Sequence, residues 1–240
     1  MESLAHLLHT VSYVALPLML AIVLHEYAHG WVANALGDPT ARLMGRLTLN
    51  PLPHIDLFGS IIMPVLCLLF PGGFFIGWAK PVPINPARLR HPRRDMALVA
   101  AAGPAMNLLL AIISAAVFGI LLTIDPAIEA HWPPQPGVAP RQDLLGMVLV
   151  PLSAMALFSI AINTLLFAFN LIPIPPLDGG RILTSVLPLK PALLLGRLEP
   201  YGMFVVLGLI MLDPYLPIIS TVLGIVFHLM TTTLLTSVAL

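Results

Sequence analysis

The chain has 240 residues, 58% of them hydrophobic and 9% charged, and its eleven Lys and Arg balance eleven Asp and Glu. A mean hydropathy of +0.97 excludes an ordinary soluble domain of this size and indicates an integral membrane protein. Zero net charge argues against a nucleic-acid partner, and a single cysteine, Cys67, excludes a disulfide framework or a cysteine metal cluster. The 25 prolines lead us to expect broken helices and extended segments at membrane depth.

Met1 to Thr10 carries no Lys or Arg and no recognisable cleavage site, so the first apolar stretch is expected to stay as a helix, over about Leu4 to Leu36. Gly37-Asp38-Pro39 stops it. Gly45 to Pro51 reads as a short extended piece, followed by Pro53-His54-Ile55-Asp56. Gly59 to Phe70 is apolar but only about a dozen residues long, short of the ~20 that a spanning helix needs, and Pro64 interrupts it, which suggests a re-entrant segment. After Pro71-Gly72-Gly73, the Gly- and Pro-punctuated run Phe74 to Pro86 suits a β-hairpin at the membrane surface. A basic patch, Arg88, Arg90, Arg93 and Arg94, precedes a spanning helix over Met96 to Leu122. Asp125 to Asp143 is a polar, proline-rich loop too short for a folded domain. A further spanning helix covers Leu144 to Ile172. Arg181 to Leu198 reads as an interfacial helix, and Pro200 to Leu212 with Tyr215 to Leu240 as an apolar hairpin. The fold class is thus an all-α polytopic membrane protein with a re-entrant segment, a β-hairpin and a C-terminal helical hairpin.

The chemistry gathers first at Leu24-His25-Glu26-Tyr27-Ala28-His29-Gly30. Two histidines four apart share one helix face, where their imidazoles can hold one metal, usually zinc, with Glu26 placed as general base toward water. Three ionisable groups in an apolar segment cost several kcal/mol unless they have partners. A third protein ligand is needed, and Asp178 is the best candidate, since it follows Pro173-Ile174-Pro175-Pro176 at membrane depth. Capping the helix that begins near Gly180 is the plainer role for this residue, and one carboxylate can serve both. His54-Ile55-Asp56 reads as a polar turn or as a second shell, gate or transient metal site. Asn107 reads as a packing residue with Gly103 as a point of close approach.

Taken together, His25-Glu26-x-x-His29, Gly103-Pro104-x-x-Asn107 and Asn170-x-x-Pro173-x-Pro175-x-Leu177-Asp178-Gly179 resemble the site-2 protease family of intramembrane zinc metalloproteases. The resemblance covers roughly residues 10–182. It implies one zinc held by His25, His29 and Asp178, with Glu26 as base and Asn170 helping to stabilise the oxyanion. It also implies transmembrane proteins as substrates, within the lipid bilayer. Residues 1–182 are then the catalytic core, with helices at about 4–36, 96–122 and 144–172, and 183–240 the C-terminal interfacial helix and hairpin. The resemblance is to a minimal form, with no PDZ domain in 125–143 and no regulatory domain expected after the last apolar run. A metal-ion transporter, or a silent membrane scaffold with a vestigial zinc site, stands as the alternative.

Orientation follows from the positive charges. With the N-terminus outside and 59–70 not crossing, Arg42, Arg46, Lys80, Arg88, Arg90, Arg93, Arg94, Arg181, Lys190 and Arg197 all fall on the cytoplasmic side. This arrangement puts the site toward the cytoplasmic face of the plasma (inner) membrane.

Overall fold

The computed structural model describes residues 2–63, 65, 66, 77–131, 143–213, 215, 217 and 219–236. Regular structure among them is helical: α1 Glu2–Ala35, α2 Thr40–Leu43, α3 Pro92–Ile124, α4 Leu144–Asn170, α5 Asp178–Val186, α6 Leu189–Gly196, α7 Glu199–Leu212 and α8 Ile219–Thr236. By length and composition α3 and α4 are each able to cross a membrane. α6 and α7, bent by 67° at the break between them, make a third crossing if they act as one span.

Local chemistry sets the helix ends. α3 starts four residues ahead of the expected Met96, because Pro92 suits the first helical position and the Asp95 carboxylate reaches back to accept the His91 N–H at 2.8 Å. At the start of α4, Asp143 accepts the Gly146 N–H at 3.2 Å. α5 and α6 break at Leu187-Pro188, as the prolines there predict.

The chain divides into two compact units. One comprises Met1–Ala21, Pro104–Ile172 and Met203–Leu240. Its core joins Ala115 and Phe118 of α3 to Ala156 and Ile160 of α4, with Leu234 and Leu235 of α8 packed against them. A polar ladder runs through the same bundle. The Asn107 amide donates to Asn163 Oδ1 at 2.9 Å and to the Ala21 carbonyl at 3.2 Å. Asn163 in turn donates to the Ser159 carbonyl at 2.9 Å, and the Ser114 hydroxyl donates to that of Ser159 at 2.7 Å. Asn107 is fully buried, so these partners stand in for water that an apolar bundle excludes. The packing role expected of Asn107 is the one it has.

The second unit comprises Ile22–Gly103 and Pro173–Gly202. Ala33, Leu89 and Val99 are its buried apolar cluster, with Val32, Leu36, Ile84 and Met96 against them. Gly45 to Asn50 is not extended. It is turned, with Gly45 at φ +66° and the Asn50 N–H donating to Thr48 Oγ1 at 3.1 Å. Leu57–Ile62 forms a wide helical turn that Asp56 opens by accepting the Gly59 N–H at 2.6 Å. Of the rest of the expected re-entrant segment, residues 63, 65 and 66 are helical, while 64 and 67–70, with Cys67, and the turn at 71–73 lie outside the described residues.

The β-hairpin expected over 74–86 is not seen. Residues 74–76 lie outside the described part, and 77–85 form no strand. Pro81, Pro83 and Pro86 have no N–H to give a ladder, so the remaining donors find scattered acceptors instead. His228 is exposed on α8.

Removing the Asn163 side chain cuts the Asn107–Asn163 bond between α3 and α4 and leaves the buried Asn107 amide short of an acceptor. Asn163→Ala is expected to lower stability by about 1 kcal/mol, read as a lower midpoint of detergent-induced unfolding.

Candidate metal centre

α1 sets His25 and His29 one turn apart, their rings edge to face with centroids 4.7 Å apart. Asp178 comes to them as the first residue of α5, after the proline-rich run 173–176. His25 Nε2 and His29 Nε2 are 3.1 Å apart. Asp178 Oδ2 lies 3.2 Å from the first and 3.3 Å from the second. All three residues are more than nine-tenths buried. Among the described residues they are the one group of three His, Cys, Asp or Glu side chains placed to share a cation.

Three details show that the group fits zinc. Ligand bonds of about 2.0–2.1 Å put neighbouring corners of a tetrahedron about 3.3 Å apart, which is the spacing of these atoms. His29 Nδ1 meets the Val99 carbonyl at 2.7 Å, and a carbonyl only accepts, so the proton sits on Nδ1 and Nε2 carries the lone pair. Asp178 Oδ2 is buried with no aligned hydrogen bond of its own. An acceptor buried without a donor is a place that a divalent cation can fill.

Asp178 makes no cap hydrogen bond to its own helix. Each of the other six aspartates, Asp38, Asp56, Asp95, Asp125, Asp143 and Asp213, accepts a backbone N–H. Asp178 instead faces imidazoles. The run that delivers it is clamped between two glycines. A Cβ on Gly180 would stand 2.7 Å from Pro175 Cα, and one on Gly202 2.5 Å from the Pro175 carbonyl carbon. Arg181 and Glu199 add a partly exposed ion pair at 3.0 Å across the same turn, worth about 1 kcal/mol or less.

Glu26, on the turn between the two histidines, accepts the Val82 N–H through Oε2 at 2.8 Å. Asn170 ends α4 and donates to the Leu166 carbonyl of its own helix at 3.0 Å. His54 and Asp56 take the structural role. His54 is buried with Nε2 at 3.0 Å from the Thr48 carbonyl, and Asp56 caps the turn that follows.

Sequence reading did not foresee the part taken by Gly103. It was expected to face another backbone, and it faces the histidine rings: a Cβ there would lie 2.6 Å from His25 Nε2 and overlap His29 Nε2. Nor did it foresee the Val99 carbonyl. The run Ala100-Ala101-Ala102-Gly103 was the available signal, since small residues mark where something comes close.

A helical, apolar chain with a buried His, His and Asp cluster defines a class of metal-dependent membrane enzyme, and comparison with known proteins gives the family. The profile of peptidase family M50 matches residues 13–212, and the chain belongs to that family. It is 36% identical over 202 residues to YwhC of Bacillus subtilis (strain 168), named as a zinc metalloprotease, across 84% of this chain and 81% of that protein. It is 30% identical over 193 residues to Rip2 of Mycolicibacterium smegmatis, also named as a zinc metalloprotease, across 80% of this chain and 64% of that one. Rip2 of Mycobacterium tuberculosis (strain H37Rv) is 30% identical over 161 residues, 67% of this chain and 52% of that protein. No solved structure matches. The chain is a metalloprotease with zinc as its cofactor.

Gly103→Ala puts a methyl group where the imidazole nitrogens stand. It is expected to weaken zinc binding at least roughly tenfold, read by competition with a chelator of known affinity.

Proposed function

We propose that the chain is an intramembrane zinc metalloprotease that hydrolyses peptide bonds within or near transmembrane segments of other proteins. The observation that carries this reading is the spacing of the three donor atoms, 3.1–3.3 Å, in a chain of the M50 family rich in apolar helix. His25, His29 and Asp178 are the ligands. When bound, zinc supplies Lewis acidity, polarising a carbonyl and lowering the pKa of water.

Glu26 then acts as general base. It takes a proton from the attacking water and passes it to the leaving amine. Asn170 is the proposed donor to the oxygen on which negative charge develops. Its amide has two N–H bonds, and one of them is spent on Leu166. A substrate helix hides its carbonyls in its own hydrogen bonds, so it must unwind locally before it is cut. The basic residues from Arg42 to Arg94, with Arg181, Lys190 and Arg197, support a site near the cytoplasmic face of the plasma (inner) membrane.

Zinc content and cleavage of a panel of single-span fusion proteins are the measurements that test this. Glu26→Gln is expected to keep one zinc per chain and lose turnover, whereas His25→Ala and Asp178→Ala lose the metal. An active Glu26→Gln protein would remove Glu26 as the base.

A further inference from the structure

Trp78 to Asn85 lies across the turn of α1 that carries Glu26, and it cannot hold itself there by a backbone ladder, because Pro81, Pro83 and the following Pro86 have no N–H. Other groups fasten it. The Trp78 N–H donates to the Gly59 carbonyl at 3.1 Å, and the Ser60 hydroxyl donates to the Trp78 carbonyl at 2.9 Å. The Lys80 N–H donates to the His54 carbonyl at 2.9 Å. At the far end the Asn85 N–H donates to Asp38, which is fully buried, at 2.6 Å. Between these ties the Val82 N–H donates to Glu26 Oε2 at 2.8 Å. Gly30, one turn past Glu26, gives Val82 room, since a Cβ there would stand 3.0 Å from Val82 Cγ1.

Arg46 completes the arrangement. Its guanidinium donates to the Lys80 carbonyl at 2.8 Å and, more weakly, to the Pro81 carbonyl at 3.4 Å. The Pro81 carbonyl and the Val82 N–H belong to one peptide group. A cation at the oxygen of that group polarises it and strengthens its N–H as a donor. Arg46 is itself 9% exposed, forms no ion pair among the described residues, and keeps Nε without a partner. Burying a guanidinium with no carboxylate beside it is costly, and the hydrogen bonds to the Lys80 and Pro81 carbonyls are what offset part of that cost.

We propose that Arg46 and the Pro81–Val82 peptide are positioning elements for Glu26. They pin Oε2 and leave Oε1 as the oxygen that receives the proton from water and returns it to the leaving amine. The proposal rests on the reading of Glu26 as base, and its test separates the two.

The sequence has two Pro–Val pairs, 64–65 and 81–82. Full-length, zinc-loaded protein labelled with 13C at the proline carbonyl and 15N at valine therefore gives two amide signals, and Val65→Ile removes the first. The Val82 amide proton is expected at low field, moving upfield in Glu26→Ala and by a smaller amount in Arg46→Gln. With a single-span fusion that the wild type cuts, Arg46→Gln is expected to keep zinc and KM while kcat falls roughly 10- to 100-fold. Arg46→Lys, which keeps the charge and a terminal donor, recovers part of that loss. A Val82 signal unmoved by Glu26→Ala overturns the proposal, as does wild-type kcat or lost zinc in Arg46→Gln. An active Glu26→Gln sinks the base assignment alone, because it leaves the Val82 shift in Glu26→Ala intact.

Discussion

Two imidazole nitrogens and a carboxylate oxygen lie within 3.1–3.3 Å of one another in a chain that is only 9% charged. Apolar surroundings raise the cost of each of these groups standing alone, and sharing a cation is the arrangement that lowers it for all three. The features around them serve that convergence. Val99 fixes the tautomer of His29, Gly103 leaves the volume, and Gly180 with Gly202 clamps the proline run from which Asp178 emerges.

The rest of the chain's acidity is used in another way. Proline-rich and turned segments leave backbone N–H groups without regular partners, and here carboxylates supply them. Asp38 ties down the residues after α1 and the segment at Asn85, Asp56 opens a helical turn, and Asp95 and Asp143 start the two long helices. Glu26 belongs to both groups. It accepts a backbone N–H like the structural carboxylates, yet it stands between the two histidines of the candidate metal centre. A carboxylate with one oxygen held and one oxygen available has a defined direction, which suits the proton transfer proposed for it.

Much of this was legible from residue type and spacing. Residue type and spacing mark His25, His29 and Asp178 as candidate ligands, and the structure brings them together. The long helices fell close to their expected ranges because twenty or more apolar residues in a row admit few alternatives. Where expectation and structure part, the cause is local. The segment after Trp78 has β-type residues, but its prolines deny it a ladder. The start of α3 was placed at the first apolar residue, although Pro92 and Asp95 already marked an earlier cap. His54 and Asp56 offered two readings, a polar turn or site chemistry, and they hold turns.

The sequence by itself determined the membrane class, the helical periodicity that puts two histidines on one face, and the ligand types that suit zinc, because composition and short-range spacing are local properties. Tertiary structure decided which backbone atoms serve the site: the Val99 carbonyl, the Val82 N–H, and the gap at Gly103 that the imidazoles fill. These depend on segments dozens of residues apart meeting at contact distance. Every residue but proline carries the same backbone donor and acceptor, so nothing in the order of side chains marks which pair will meet.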